Sequence, residues 1–511
     1  MARTTPVISK WRDVLGGQLL TYGNAITTLV DGPETFAAMY RALQTAQNNE
    51  NHFIYLLGWS CDSTLGLLGG LDGSRDSNTS LSRIFKSVPK VQIRAMFWNQ
   101  IMGDERKMNR ASVAMINDLP NGAAILDARL PSPFNSHHQK VLIVNGGQGV
   151  IAFCGGVDLH PNRVDASPLE AVGHSRPNGS PQHDVHCQVQ GPACGDLLDV
   201  FNQRWRSHPL TPGMDAKKGD LIWSKTAQVY PRGTALVRGV RTFNCVLEDR
   251  PWDLQADPGA SPSPSNPPPN STPNLSLLRK QACRKNRSVA ETLLGAIAKT
   301  EHQIYCEDQY MVSIAVANAL NAALNRGVNI IFVIPSSFIS DLPGKWHRRK
   351  AFINAVLAKN PKDPEGKKRG KFGVYFLVDP KTGKIGKWCY VHAKTWMFDD
   401  EVAIIGSANC NRRGISSDSE ANLCILDSPF KSSTDSIAKA LRKRLWAKHL
   451  GTNDVDDFSK WDKHWKDKTS WAREYDPDAE KDGYDPGDNV VDPDLDSLPL
   501  CASNCCTSRK L

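Results

Sequence analysis

Short apolar runs of four to eight residues alternate along the chain with longer segments in which apolar residues recur every three or four positions. The apolar runs are rich in Val, Ile and Phe, which is typical of strands buried on both faces. Such runs lie at 53–59, 91–98, 328–335 and 402–405. The intervening segments predict helices, among them 33–46, which has a proline in its first turn, and 289–299. Buried strands that alternate with helices indicate an α/β fold.

Two short segments share a pattern of polar residues. The first reads Ser-His-His-Gln-Lys-Val-Leu-Ile-Val-Asn at 136–145, and the second reads Tyr-Val-His-Ala-Lys-Thr-Trp-Met-Phe-Asp at 390–399. Each places a His two residues before a Lys and a polar side chain seven residues after the His. The residues concerned are His138, Lys140 and Asn145 in the first segment, and His392, Lys394 and Asp399 in the second.

The apolar residues in both segments predict that these motifs lie on strands. Residues two apart on a strand share a face, so each His should point to the same side as its Lys. Asn145 and Asp399 are an odd number of residues from the His and should face the other way. We therefore predict that the seventh position supports the structure and takes no part in the chemistry.

The neighbourhoods of the two motifs also match. Each motif follows a pair of apolar strands and precedes an apolar strand that ends in a Gly-containing turn, and the two copies are offset by 254 residues. This repeated order indicates an internal duplication.

The paired motifs resemble the H-x-K-x4-D signature of the phospholipase D superfamily, with Asn in place of Asp in the first copy. Further segments are similar to those of two-motif phospholipases D, and the resemblance extends over about 25–451. These segments are Gly58-Trp59, His183 to His186 with Gly191 to Ala193, Phe201 to Trp205, Tyr305 to Tyr310, Gly406 to Arg413 with Asp418 to Glu420, and Leu441 to Gly451.

The resemblance implies two α/β domains related by a pseudo-twofold axis, with the active site at their interface. We predict an N-terminal segment (1–24), a first domain (25–225), a connector with a Pro/Ser-rich loop (226–285), a second domain (286–452) and an acidic, partly disordered tail (453–511).

The same resemblance implies the reaction. One His attacks a phosphodiester and forms a covalent phosphohistidine, while the other protonates the leaving alcohol and then activates water. By analogy His138 is the nucleophile and His392 the acid and base, although the sequence alone leaves their order open. Lys140 and Lys394 would hold the non-bridging phosphate oxygens and offset charge in the transition state.

Family members orient each His with a carboxylate downstream of each motif. The matching positions in this chain are Asp184 and Glu420, with Asp418 as a substitute for Glu420.

Further polar residues follow the two motifs at equivalent places. We expect Ser407 to support the site, and Asn409 and Asp158 to contact the phosphate or the lysines. For Asp158 a structural role as hydrogen-bond acceptor is favoured, because a carboxylate beside a phosphate is unfavourable.

Cysteines and charge bear on cofactors and partners. The thirteen cysteines include many single residues in strand-like segments, which predicts buried free thiols in a reducing compartment. No spacing typical of metal ligands stands out, so we expect neither a metal nor another cofactor. The net charge is +9, but 474–496 carries ten acidic residues against one lysine, so the rest of the chain carries +18. A basic body favours anionic partners such as a phospholipid surface, for which the basic segment 345–350 is a candidate contact, or nucleic acid.

No run of about 18 apolar residues and no apolar signal core is visible, so we predict a monomer that is cytoplasmic or peripheral to a membrane. Delivery by a non-classical secretion route remains open. The favoured function is hydrolysis of phosphatidylcholine-like lipids to phosphatidic acid and an alcohol. The alternatives are phosphatidyl transfer, as in cardiolipin or phosphatidylserine synthesis, and a nuclease, which the presence of both motifs in one chain makes less favoured. A lipid-binding protein without activity is disfavoured by the two intact His-Lys pairs.

Overall fold

The computed structural model describes residues 9–69, 74–100, 104–130, 135–163, 182–208, 210–211, 219–223, 229–243, 286–336, 345–359, 368–378, 389–427 and 435–478. The predicted Pro/Ser-rich loop and the end of the predicted tail lie outside these ranges. Within them, no helix is both long enough and apolar enough to cross a bilayer.

The strands of the first half of the chain are β1 (Thr21–Val30), β2 (Phe53–Gly58), β3 (Gln92–Trp98), β4 (Gly122–Asp127), β5 (Val141–Gly146), β6 (Gly149–Gly155), β7 (Gln182–His183) and β8 (Val185–Gln190). Those of the second half are β9 (Ala235–Phe243), β10 (Asn286–Arg287), β11 (Gln303–Asp308), β12 (Asn329–Ile334), β13 (Phe372–Leu377), β14 (Tyr390–Val391), β15 (Lys394–Phe398), β16 (Val402–Gly406), β17 (Glu420–Leu426) and β18 (Ala472–Glu474). The helices are α1 (Asp31–Leu43), α2 (Leu81–Ser87), α3 (Asp104–Asn117), α4 (Cys194–Ser207), α5 (Ser288–Lys299), α6 (Ile314–Asn325), α7 (Lys345–Leu357), α8 (Arg412–Ser416), α9 (Ile437–Leu450) and α10 (Phe458–His464).

One mixed sheet runs through both halves, in the order β18-β13-β12-β11-β15-β16-β17-β9-β1-β8-β6-β5-β2-β3-β4, with β10 beside β9. The order is symmetric about the antiparallel pair β9 and β1. Counting outward from that pair, β17 matches β8, β16 matches β6, β15 matches β5, and β11, β12 and β13 match β2, β3 and β4. Strands β11 to β13 are parallel to one another, as are β2 to β4, and the strands between these two sets are antiparallel. This arrangement confirms the predicted α/β fold with two pseudo-twofold-related halves.

Helices cover both faces of the sheet, which explains why the strands read as continuous apolar runs. On β5, Val141 and Ile143 pack into one core, whereas Leu142 and Val144 pack into another on the opposite face. The first of these cores contains α4 and α9 together with strands from both halves. The other face is divided, with α1 to α3 covering the first half and α5 to α7 the second. The shared core therefore joins the halves into one body.

The structure extends the sheet beyond the predicted domain boundaries. Strand β1 begins at Thr21, β9 lies inside the predicted connector, and α10 and β18 lie inside the predicted tail. Strand β9 is not predicted by the apolar pattern, because Arg238, Gly239 and Arg241 interrupt the apolar run. Strand β18 lies at the edge of the sheet and pairs with β13. It is only three residues long, which is too short to produce a periodic pattern.

Candidate active site

Both motifs lie at the beginning of a strand, in extended chain that leads into it. His138 and Lys140 precede β5, His392 lies between β14 and β15, and Lys394 is the first residue of β15. The prediction that the motifs lie on strands is therefore right only for their apolar ends. The His residues sit where the ladder of hydrogen bonds has not yet begun, which leaves them to contact the opposite half of the molecule.

Side chains alternate along the first motif as predicted. His137 Nε2 lies 3.2 Å from Asp127 Oδ1, and Gln139 accepts a hydrogen bond from Arg204 (3.1 Å), so these two residues point into a buried polar cluster. His138 and Lys140 point the other way and contact a different set of residues. The alternation places the imidazole and the ammonium group on one side of the chain.

Each catalytic candidate His pairs with a carboxylate of the other half of the molecule. His138 Nδ1 lies 3.1 Å from Glu420 Oε2, and His392 Nδ1 lies 2.7 Å from Asp184 Oδ2. A carboxylate downstream of each motif predicts that each His pairs with a carboxylate of its own half of the molecule. The structure exchanges the partners, so that the two His–carboxylate pairs cross the interface between the halves.

The backbone explains this exchange. The amide of His138 donates to the carbonyl of Ser419, the residue before Glu420 (2.9 Å). In the same way the amide of His392 donates to the carbonyl of His183, the residue before Asp184 (2.7 Å), next to the parallel pairing of β7 and β14. Each motif thus forms a short bridge with the segment that supplies its carboxylate.

These contacts fix the tautomer of His138. Its Nδ1 lies between two acceptors, the carbonyl oxygen of Ser407 (3.0 Å) and Glu420, so Nδ1 carries the hydrogen and Nε2 presents a lone pair. Burial, together with the charges of Lys140 and Lys394, lowers the pKa of His138 well below its ordinary value. The side chain is 12% exposed, so a neutral and accessible imidazole nitrogen is available as a nucleophile.

His392 has the same tautomer but a different neighbour at Nε2. Its Nδ1 donates to Asp184, whose own pKa burial raises to about 6, and its Nε2 lies 3.3 Å from Arg163 Nη2. Burial and the positive charges of Arg163 and Lys394 lower the pKa of His392 well below its ordinary value. The two imidazoles are therefore equivalent in orientation but not in surroundings.

The two lysines are held differently. Lys140 Nζ lies 3.0 Å from Asp158 Oδ2, whereas Lys394 Nζ donates to the uncharged amide oxygen of Gln309 (3.1 Å). Burial lowers the pKa of Lys394 to about 7, and the charge of Lys140 acts in the same direction. Within the described residues Lys394 forms no ion pair, although the charges of Asp184 and Asp308 act on it, and it is therefore well suited to bind an anion.

Asp158 has the structural role expected for it. Its Oδ1 accepts hydrogen bonds from the amides of Trp59 (3.1 Å) and Ser60 (3.2 Å), while its Oδ2 meets Lys140. The carboxylate therefore joins the turn after β2 to the first motif.

Among the residues after the second motif, Ser407 holds the carboxylate, because its hydroxyl donates to Glu420 Oε2 (2.5 Å). Asn409 is buried and its Oδ1 has no hydrogen-bond partner among the described residues, so its predicted contact with phosphate or lysine stays a prediction. Asp418 does not substitute for Glu420. It accepts hydrogen bonds from Asn135 Nδ2 (2.9 Å) and from the amide of Ser136 (3.0 Å), and so holds the chain that leads into the first motif.

The seventh residue of each motif bonds backbone, as the alternation predicts. Asn145 donates to the carbonyl of Asn51 (3.1 Å). Asp399 accepts from three successive backbone amides, those of Glu301, His302 and Gln303, at 2.7–2.9 Å. Both side chains support the sheet at the end away from the imidazoles.

A buried polar network behind Asp184 was not anticipated as a unit from the sequence. His183 lies 2.8 Å from both Asp31 and Glu307, and His449 lies 2.7 Å from the other oxygen of Glu307. Asp31 also pairs with Lys448. Although burial opposes it, the charges of Glu307 and Asp31 raise the pKa of His183 to about 9.

His183, Glu307 and His449 are the residue types that bind a metal ion, and their ligand atoms lie within 4.8 Å of one another. Their direct nitrogen–oxygen distances of 2.7–2.8 Å are those of hydrogen bonds, and a protonated His183 with Lys448 balances the two carboxylates. The geometry therefore fits a hydrogen-bonded network, and the expectation that the enzyme needs no metal stays a prediction.

Other sequence expectations have mixed outcomes. The prediction of buried free thiols in strand-like segments is confirmed among the described residues for Cys154, Cys187, Cys306, Cys389 and Cys424. In the basic segment 345–350, Arg349 is buried and donates to the carbonyls of Pro335 (2.7 Å) and Tyr310 (3.1 Å), so it serves the fold and is not available to a lipid surface.

The fold and the site define a class of protein with a duplicated α/β fold and one His-Lys motif in each half. Comparison with known proteins agrees with this class. Family models match at 293–446, described as "Cardiolipin synthase, PLD-like domain", and at 167–369, described as "Phospholipase D". Phospholipase D alpha 1 of Cynara cardunculus is 24% identical over 81% of this chain and 64% of its own length. Phospholipase D alpha 2 of Arabidopsis thaliana is 22% identical over 80% of this chain and 63% of its own length. This chain therefore spans less than two thirds of the relatives it matches.

Among solved structures, the phosphatidylserine synthase of Haemophilus influenzae Rd KW20 superposes with a TM-score of 0.51. The match covers 93% of this chain and 92% of the synthase, and at 9% identity it shows the fold alone. The chain belongs to the phospholipase D superfamily and is most similar to phospholipase D.

Proposed function

We propose that this chain is a phospholipase D. It hydrolyses the distal phosphodiester of phosphatidylcholine-like glycerophospholipids to phosphatidic acid and a free alcohol, through a covalent phosphohistidine. The observation that carries the proposal is the pair of imidazoles, His138 and His392, each held through Nδ1 by a buried carboxylate, which leaves Nε2 of each ring as the nitrogen that can take part in the chemistry.

In the first step, Nε2 of His138 attacks phosphorus, and the bond from phosphorus to the head-group oxygen breaks. His392, which takes up a proton at Nε2 when the anionic substrate binds, delivers that proton to the head-group oxygen, so that the alcohol leaves in neutral form. His138 is favoured as the nucleophile because no donor among the described residues contacts its Nε2, whereas Nε2 of His392 faces Arg163. Glu420 accepts the hydrogen bond from the His138 imidazole as it becomes cationic.

In the second step, His392 has lost its proton and accepts one from a water molecule. The resulting hydroxide attacks phosphorus, and the phosphorus–nitrogen bond to His138 breaks, which releases phosphatidic acid and restores both imidazoles. Lys140 and Lys394 stabilise the negative charge on the non-bridging oxygens throughout. No step requires a group other than these side chains, the substrate and water.

The choice of a lipid substrate is supported by the curated relatives, which are named phospholipase D alpha, and by the positive charge of the body of the chain. A monomer that acts peripherally at a phospholipid surface, with no cofactor, is part of the proposal. Phosphatidyl transfer is the first alternative, since it differs only in that an alcohol replaces water in the second step. Nucleic acid is the second, because it also carries phosphodiesters.

The test is to incubate the purified protein with mixed phospholipid vesicles, plasmid DNA and a primary alcohol in the presence of a metal chelator. We expect release of choline, and formation of a phosphatidyl alcohol as a side product. Transfer to the alcohol without measurable phosphatidic acid would favour the transferase. Cut plasmid without any lipid product would overturn the lipase in favour of a nuclease.

Two variants test the assignment of the imidazoles. His138→Ala and His392→Ala should each lower turnover at least 1,000-fold, since nucleophile and acid are both essential (on the order of the loss for a catalytic-triad residue). The exposed His302 provides a matched control, because His302→Ala removes an imidazole outside the site. Substantial turnover in either site variant would contradict the two-histidine mechanism.

A further inference from the structure

Arg163 is a buried cation at the candidate active site that no sequence motif pointed to. It ends a short 3-10 helix (Pro161–Arg163) that follows β6, and only 6% of the residue is exposed. Gly32, at the start of α1, lies so close that a Cβ there would be 1.5 Å from the carbonyl oxygen of Arg163. The backbone of this turn is therefore pressed against α1, and the fold determines where the guanidinium can reach.

The two sides of the guanidinium have different surroundings. Nη1 donates to the side-chain oxygens of Asn162 (2.9 Å) and Gln182, which are neutral and anchor that side. Nη2 contacts Nε2 of His392 at 3.3 Å, and Nε is buried without a hydrogen-bond partner in the part of the chain that the structure describes. Nε and Nη2 form one edge of the planar group, the edge that binds two oxygens of a phosphate or carboxylate in a fork.

Arg163 has only distant charge compensation among the residues that the structure describes. No carboxylate there forms an ion pair with this guanidinium, although the charges of Asp184 and Arg163 interact without direct contact. Burying a cation is costly unless it is paired, so a buried arginine with no ion pair among the described residues is well placed to bind an anion.

The resting contact is incompatible with the role proposed for His392. An N–H of Arg163 points to the lone pair of Nε2, which is the atom that must carry the proton for the leaving group. Once Nε2 is protonated, two donors would face each other there. An anionic oxygen that accepts from both groups would remove this conflict, because it satisfies the guanidinium and the imidazolium together.

We propose that the Nε–Nη2 edge of Arg163 binds a non-bridging oxygen of the substrate phosphodiester, as a third cationic contact beside Lys140 and Lys394. The inference rests on the proposed function for the identity of the substrate, but the chemistry it names, a phosphate group, is common to lipid phosphodiesters and free phosphate. Binding moves the guanidinium hydrogen from Nε2 of His392 to the phosphate oxygen, and so leaves Nε2 free to hold its proton.

The test compares Arg163→Gln and Arg163→Lys with wild type in two assays. The first is isothermal titration with inorganic phosphate, and the second is hydrolysis of a soluble short-chain phosphatidylcholine. We expect Arg163→Gln to weaken phosphate binding at least 10-fold and to lower kcat/KM about 100-fold, the usual loss when one donor to a transition-state oxyanion is removed. Arg163→Lys should be intermediate, because it keeps the charge but loses the fork.

A chemical rescue separates this role from a merely structural one. In Arg163→Ala, guanidinium ion added at millimolar concentration should restore part of the turnover by occupying the vacated position. Arg232→Gln is the matched control, since Arg232 is exposed and its side chain donates to a backbone carbonyl of Gln148 (3.2 Å). The control should stay within twofold of wild type in both assays and show no response to guanidinium.

The two assays distinguish the possible failures. If wild type binds phosphate and Arg163→Gln does not, the inference stands even if phosphatidylcholine is not a substrate. If wild type hydrolyses the lipid and Arg163→Gln retains phosphate affinity within threefold, the inference is wrong and the proposed function stands. If Arg163→Gln fails to fold, the Arg163→Lys titration and the rescue of Arg163→Ala decide, and normal phosphate binding by Arg163→Lys together with no rescue would overturn the proposal.

Discussion

Asn145 and Asp399 occupy the same position in the two motifs but make different numbers of structural contacts. Asn145 makes one hydrogen bond to a backbone carbonyl. Asp399 accepts three backbone amides in a left-handed conformation (φ 52°) and also pairs with Lys10 (2.7 Å). Neither contacts an imidazole, so the asymmetry between Asn and Asp lies outside the chemistry.

We therefore expect Asn145→Asp to change kcat by less than about twofold. It should lower the free energy of unfolding by about 1 kcal/mol, because a carboxylate would face the carbonyl of Asn51 in place of an amide donor. Steady-state kinetics and urea unfolding measure the two quantities. A large gain in turnover would show that the seventh residue does take part in the reaction.

The matched change in the second motif is Asp399→Asn. It removes the negative charge next to Lys10 and turns an acceptor into a donor beside a backbone amide. The expected loss of stability is about 1–3 kcal/mol, with kcat again nearly unchanged. Loss of activity without loss of stability would contradict the structural role.

A further residue-scale prediction concerns Lys394, whose pKa burial lowers to about 7. The ammonium form exists below that pH, so phosphate affinity should be highest in mildly acidic solution and fall as the pH rises through 7. Lys394→Arg keeps its charge at all accessible pH values and should move this alkaline loss upward by at least one pH unit, even if the maximal rate is lower. The pH dependence of kcat/KM for the two proteins tests this, and identical alkaline limbs would contradict it.

At the scale of elements, the segment that contains Asp418 and Glu420 performs two tasks. Asp418 holds Asn135 and Ser136 just before the first motif, and Glu420, at the start of β17, holds the imidazole itself. Position and orientation of His138 thus depend on one short piece of chain from the other half.

The two tasks should separate in kinetics. Asp418→Ala loosens the approach to the motif and should lower kcat/KM about 10- to 100-fold, because small displacements of a catalytic group are costly, with an unchanged pH profile. Glu420→Gln removes a titratable group beside His138 whose pKa burial raises well above its ordinary value, and so should alter the pH profile as well as the rate. If Asp418→Ala shifts the pH profile in the same way, the division of roles is wrong.

Much at this scale was predictable from the sequence, and the reason is local. Buried strands leave apolar runs, so the apolar pattern predicts β2, β3, β12 and β16 close to their observed bounds, and the period of two places each His beside its Lys. The exchange of Asp184 and Glu420 between the motifs depends on how two distant segments meet, which periodicity does not encode. Arg163 is not predicted from the sequence, because a single arginine in a turn belongs to no periodic pattern or motif.

At the scale of the whole molecule, the buried network connects the two halves behind Asp184. Asp31 and His183 come from the first half, and Glu307 and His449 from the second. The two carboxylate oxygens of Glu307 pair with the two histidines, one oxygen with each. The hydroxyl of Tyr305 also donates a hydrogen bond to this carboxylate (2.6 Å). The network therefore contributes to the docking of the halves at the point that supports His392.

This network predicts how stability varies with pH. The pKa of His183 is raised to about 9, so its favourable charge interactions are fully present below its unfolded pKa of about 6.5 and are lost as the pH rises through 9. The free energy of unfolding should fall across that window. Urea unfolding at pH 7 and at pH 9.5 measures the change.

In Glu307→Gln most of this dependence should vanish, because the charge that raises the pKa of His183 is gone. The variant should lose about 3–5 kcal/mol at pH 7, as expected when one member of a buried ion pair is removed. Exposed Glu301 offers the control Glu301→Gln, which should change neither quantity. An equal pH slope in wild type and Glu307→Gln would show that the network does not titrate as proposed.

The crossing of the His–carboxylate pairs has a consequence for the chain while it folds. Neither half alone contains a complete pair, since His138 depends on Glu420 and His392 on Asp184. A nascent chain whose first half has folded, or a damaged chain whose second half has opened, therefore presents no oriented imidazole. Under the proposed mechanism, phosphoryl chemistry would therefore require that both halves are docked, and the duplication would tie activity to completed assembly.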